Sequence, residues 1–89
     1  MEFEWDDAKR QSNMRKHRLD FIDAVVIFEA PHVITDARSV GDERRFMATG
    51  WMDDGFVTVV FTKRGTAIRI ISVRSARNVE QRRYKAVHG

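Results

Sequence analysis

At 89 residues, 43% hydrophobic and 33% charged, the chain has room for one domain, residues 1–89, around one core, and none for a second. The absence of cysteine excludes a disulfide framework, a thiolate nucleophile and cysteine-containing zinc sites. The net charge of +3 is unevenly spread: residues 1–59 carry eight Lys or Arg against twelve Asp or Glu, a balance of −4, whereas residues 60–89 carry eight against Glu80 alone, +7.

A basic end on an otherwise acidic domain is the footprint of a surface that meets phosphate, or of a solvated basic helix. No apolar run approaches the roughly 18 residues of a membrane span, and the acidic start Met1-Glu2-Phe3-Glu4 lacks a basic leader, so the expectation is a soluble, unprocessed cytoplasmic protein with no membrane partner. So small a domain buries a modest fraction of its surface, which makes stabilisation by a partner an expectation too.

In chain order, Phe3 and Trp5 alternate with Glu2 and Glu4, which predicts a short strand over 2–5. Asp6 caps a helix running to about His17, with the acidic pair Asp6-Asp7 at the end where the helix dipole favours it. Asp20 caps a second helix, where Phe21, Ala24, Val25 and Phe28 make an apolar stripe widened by Ile22, Val26 and Ile27, and Pro31 stops it. Residues 33–35 begin a sheet. Three antiparallel strands follow at about 44–51, 56–63 and 66–73, joined by turns at Asp53-Asp54-Gly55 and Arg64-Gly65. Residues 76–87 return to helix, with Asn78 as cap and Gln81 three residues on. The fold class is α+β: a short N-terminal strand, two helices, an antiparallel sheet of three to four strands and a C-terminal helix.

Chemistry falls to cations. His17, His32 and His88 have no ligand-spaced partner, so no metal site is expected, and neither a glycine-rich phosphate loop nor a nucleophile elbow is present. Lys9, Asn13 and Lys16 follow helical spacing, flanked by Arg10 and His17, giving a basic face that is either functional or simply solvated. Arg69 interrupts an apolar strand, and alternation puts it on the face opposite to Arg74. An arginine among apolar neighbours needs a partner, and Glu43 is the expected one unless Arg69 serves a substrate. Glu43 and Arg45 form either an acid–base pair or an ion pair. Tyr84 either stacks on a base or packs on the sheet.

Taken together, these residues resemble the BrnT toxins of type II toxin–antitoxin systems, whose fold is similar to that of RelE-like ribonucleases. The resemblance spans nearly the whole chain. Phe3-Glu4-Trp5-Asp6, Lys9, Asn13, Lys16-His17, Phe21 and Ala24 match the family's opening pattern, followed by Glu43-x-Arg45, Gly50 and Thr62-x-Arg64. Arg69-Ile70-Ile71-Ser72-Val73-Arg74-x-Ala76, with Glu80, Arg83 and Tyr84, resembles its closing signature. Arg18 stands where the family often has Gly, and Val73 where it has Ala; neither departure removes a functional group.

The resemblance implies a ribonuclease toxin without cofactor, neutralised by a BrnA-like ribbon-helix-helix antitoxin. It also implies an assembly of two toxins with two antitoxins, in which operator DNA is bound only through the antitoxin. Resemblance and charge together lead to metal-independent attack of an RNA 2′-hydroxyl on its adjacent phosphate. Arg69 and Arg74, helped by Arg45, are expected to converge on one pocket as the phosphate clamp, with Lys16 and His17 in proton transfer and Glu43 as a competing base. Lys9, Arg64, Arg77, Arg83 and Tyr84 are the expected RNA contacts. The alternatives are a nucleic-acid-binding module without catalysis and a docking protein for an acidic partner.

Overall fold

Alternation in the first residues produces β1 (Glu2–Trp5) in the computed structural model, which describes residues 1–89. The Asp6 side chain accepts from the Lys9 backbone N–H at 3.0 Å and so caps α1 (Asp7–His17). Arg18 ends that helix in the left-handed region, φ 56°, with its N–H on the Met14 carbonyl. This is where the BrnT pattern often has Gly, and a side chain there costs about 1 kcal/mol.

The second helix is shorter than its apolar pattern suggested. Asp20 caps α2 (Phe21–Ala24), which tightens into a 3₁₀ turn over Val25–Glu29. The β-branched run Val25-Val26-Ile27 disfavours a continued α-helix. Ile27 also lies against Gly50, where an added Cβ would stand 3.1 Å from Ile27 Cγ2.

Strands β2 (His32–Asp36), β3 (Phe46–Met52), β4 (Gly55–Arg64) and β5 (Ala67–Ser75) complete a five-stranded sheet of order β1-β5-β4-β3-β2. The antiparallel strands are those expected, and the N-terminal strand joins them in parallel with β5. One sheet face meets Phe21, Ala24 and Ile27 with Ala48, Val59, Phe61, Ile70 and Val73, all essentially inaccessible to water. Rings of Phe3, Phe28, Phe61 and Phe46 follow one another at centroid separations of 5.2–5.5 Å across this core.

Register slips by one residue between β4 and β5: Val60 pairs with Ser72 and Phe61 with Ile70, so Ile71 is extra. The bulge shifts the alternation. Arg69 pairs with Thr62 and Arg74 with Thr58, and because these threonines are four apart on β4 both arginines lie on the face away from the core. The expectation of opposite faces is thereby corrected.

On that outer face α3 (Asn78–His88) packs against β2 and β3. Its cap is Arg77, one residue before the expected Asn78, because the Arg77 N–H reaches the Glu80 carboxylate at 2.9 Å. Glu80, 5% exposed, also accepts both terminal nitrogens of Arg74, at 2.8 and 2.9 Å, and the Thr58 hydroxyl at 2.9 Å. Thr49 and Thr58 share a further hydroxyl bond of 2.8 Å.

Removing one member of so enclosed a pair strands the other charge. Arg74→Ala is expected to lower unfolding free energy by about 3–5 kcal/mol in urea titration, whereas the double change Arg74→Met, Glu80→Leu costs much less. The Arg74 guanidinium holds the Glu80 carboxyl down from the usual 4.5 to about 2, and Arg10 holds Asp20 down from 3.8 to about 2. Both groups therefore bind fewer protons folded than unfolded, so their stabilisation is complete above about pH 5 and is lost as pH falls toward 2. The urea midpoint should drop across that window, with a shallower slope in Glu80→Gln.

Candidate active site

Helical spacing stacks Lys9, Ser12, Asn13, Lys16 and His17 along one side of α1, where they line a hollow of about 230 Å³ closed by Ile71 and Ser72 of β5. Asn13 sets this arrangement. Its Nδ2 donates to the Leu19 and Val73 carbonyls at 3.0 and 2.9 Å, and its Oδ1 accepts the Val73 N–H at 3.1 Å and the Ser72 hydroxyl at 3.2 Å. β1 pairs with β5 only as far as Ile70, so Asn13 satisfies the strand edge that β1 leaves open.

Lys9, Lys16 and His17 take part in none of the five ion pairs of the molecule. Lys16 and His17 lie in the last turn of α1, where the negative end of the helix dipole favours basic side chains. Arg10, expected on the same face, turns instead to Asp20 in a two-pronged pair at 2.7 and 2.8 Å.

A second hollow of about 380 Å³ is lined by Asp42, Glu43, Arg44, Phe46, Thr62, Lys63 and Arg64. The Arg44 guanidinium and the Lys63 ammonium stand 5.1 and 4.9 Å from the Phe46 ring centre. Arg45 Nε donates to Glu43 at 2.9 Å, so of the two readings of this couple the ion pair is the one formed.

The expected convergence of arginines on one pocket is corrected. Arg45, Arg69 and Arg74 line neither hollow, and each is engaged by a carboxylate of the chain. Arg69 meets Glu4 at 2.7 Å and not Glu43, because Glu4 is its register partner on the adjoining β1. Arg74 is enclosed with Glu80.

Of the remaining expected residues, Lys9, Lys16 and His17 come together at the α1 hollow, while Glu43 and Arg64 come together at the other. Arg77 and Arg83 are exposed around α3. Tyr84 packs on Phe56, ring centres 5.0 Å apart, and on His88 at 4.9 Å. No three His, Asp or Glu side chains stand close enough to hold a metal ion.

Ser12, Ile71 and Ser72, and the burial of Asn13, were missing from the sequence reading. An asparagine inside a helix that otherwise lacks one is a usable signal, since its side chain competes with helical backbone unless it is bonded elsewhere. Asn13→Ala leaves one N–H and two carbonyls of the backbone without their partner, and is expected to cost about 3 kcal/mol in chemical denaturation. Asn13→Asp, which sets a carboxylate against those carbonyls, should recover none of it.

The comparisons with known proteins agree with this architecture. The family model described as a ribonuclease toxin, BrnT, of type II toxin–antitoxin system matches residues 5–80. The crystal structure of the Brucella abortus ribonuclease toxin BrnT is 35% identical in sequence, with a TM-score of 0.69 over 88% of this chain and 99% of that one. No curated protein matches.

Proposed function

Because the chain belongs to the BrnT family of ribonuclease toxins of type II toxin–antitoxin systems, we propose that the hollow on α1 is where RNA is cut, by 2′-hydroxyl attack without a metal. The observation that carries this reading is the gathering of Lys9, Lys16 and His17, all free of internal carboxylates, around one cleft. Lys9 and Lys16 are seven residues apart, two turns along one side of the helix and a rise of about 10 Å, so their long side chains flank one cleft.

In the reaction His17 takes the 2′-hydroxyl proton, the 2′-oxygen bonds to phosphorus, and the 5′-oxygen leaves with a proton from Lys16. The products are a 2′,3′-cyclic phosphate and a free 5′-hydroxyl. The imidazole nitrogen has a lone pair to accept the proton, and Lys9 offsets charge developing on the phosphorane. Glu43 lines the other hollow and takes no part beside His17.

The partner in this reading is a BrnA-like ribbon-helix-helix antitoxin, assembled as two toxins with two antitoxins and bringing operator DNA through the antitoxin. No helix of the chain is long and apolar enough to cross a membrane. The RNA encountered is that of the cytoplasm.

Purified protein incubated with RNA and EDTA should retain full cleavage and yield cyclic phosphate ends, and a substrate with 2′-deoxyribose at the cut site should resist. His17→Ala should lower the rate about 10²-fold or more. RNA that is bound yet left intact by the parent protein would favour the binding module without catalysis, and full activity of the His17 variant would displace the site from α1.

A further inference from the structure

The C-terminal helix is amphipathic in an unexpected sense. Its polar residue Glu80, with Tyr84 and His88 at successive turns, faces the sheet: Glu80 on Arg74 and Thr58, Tyr84 on Phe56, and His88 Nε2 donating to the His32 carbonyl at 3.0 Å. Solvent meets Val79, Arg82, Arg83, Ala86 and Val87, which follow the i, i+3, i+4, i+7, i+8 spacing of one stripe. Val79 and Val87 are 43% and 65% exposed.

A helix that only bordered water would carry polar residues there, so aliphatic groups set among cations mark a surface to be covered. Arg82 and Arg83 enter no ion pair, and the helix's one carboxylate, Glu80, is already bound inward. The region is part of the segment 60–89, whose balance of charge is +7.

We infer that the outer face of α3 docks an acidic amphipathic segment of the antitoxin, carboxylates meeting Arg82 and Arg83 and apolar side chains covering Val79 and Val87. This rests on the toxin–antitoxin membership given above, which supplies a protein partner. Charge complementarity selects the acidic segment. RNA fits the stripe less well, since single strands are held by aromatic stacking, and the rings nearest this helix, Tyr84 and Phe56, are spent on each other. No residue of α3 lines either hollow, so docking and cleavage occupy separate surfaces and can be separated by mutation.

The test pairs isothermal titration against the antitoxin encoded by the neighbouring reading frame with RNA cleavage by the free toxin. The double variant Val79→Ser, Arg82→Glu is expected to raise Kd about tenfold or more while cleavage stays within about twofold of the parent, and the parent's Kd should rise with salt. An unchanged Kd overturns the inference. So does cleavage that is lost at unchanged Kd, which would assign the stripe to RNA. Should circular dichroism show the double variant unfolded, Arg82→Gln replaces it, with a rise of about threefold expected and an unchanged Kd again fatal. A parent that binds antitoxin but leaves RNA intact defeats the cleavage reading alone, because the comparison of Kd values does not depend on it.

Discussion

The bulge at Ile71 is the constraint from which the rest of the arrangement follows. Pairing of β5 with β1 stops at Ile70, just before the extra residue, and beyond it Asn13 of α1 takes both hydrogen-bonding groups of Val73. The same residue resets the alternation, so that Val73 joins the core while Arg74 arrives on the outer face opposite Thr58. Without that shift, Arg74 would stand opposite Val57 and point into the core, and Glu80 would have no guanidinium to receive it. A single irregularity thus sets the face of the sheet on which Arg74 meets Glu80 and α3 is held.

Charge compensation then separates structural cations from available ones. An arginine partly withdrawn from water needs a carboxylate, and Arg10, Arg45, Arg69 and Arg74 each have one, at 2.7–2.9 Å. The guanidinium is suited to this use because its planar fork meets two carboxylate oxygens at once, as Arg10 and Arg74 do. Lys9, Lys16 and His17 stand on a helix with little to bury, so nothing in the fold requires a partner for them. The two lysine charges are left for an anion from outside.

The distribution of charge along the chain has a spatial counterpart in α3. Its inward side is polar but fully satisfied, through the network of Arg74, Glu80, Thr58 and Thr49, and its outward side mixes aliphatic and basic residues. The helix is therefore attached by hydrogen bonds and aromatic contacts, and the aliphatic surface that would ordinarily anchor it remains outside.

The local content of the chain was legible from its residues alone. Asp6 and Asp20 as caps, Pro31 as a stop, the turn at Gly65 and the β-branched runs specify helices and strands through short-range sterics and hydrogen bonds, and the BrnT pattern identified the family; at the other hairpin turn Asp53, not the expected Gly55, takes the positive φ. The basic side of α1 was legible for the same reason, since its spacing is that of one helix. Long-range choices were not. Arg69 finds Glu4 because β1 returns beside β5, sixty-five residues along the chain, and Arg74 changes face because of a bulge that strict alternation cannot reveal. Which cations are free depends on which carboxylates the fold brings to the others, and that pairing is decided only when the strands are in register.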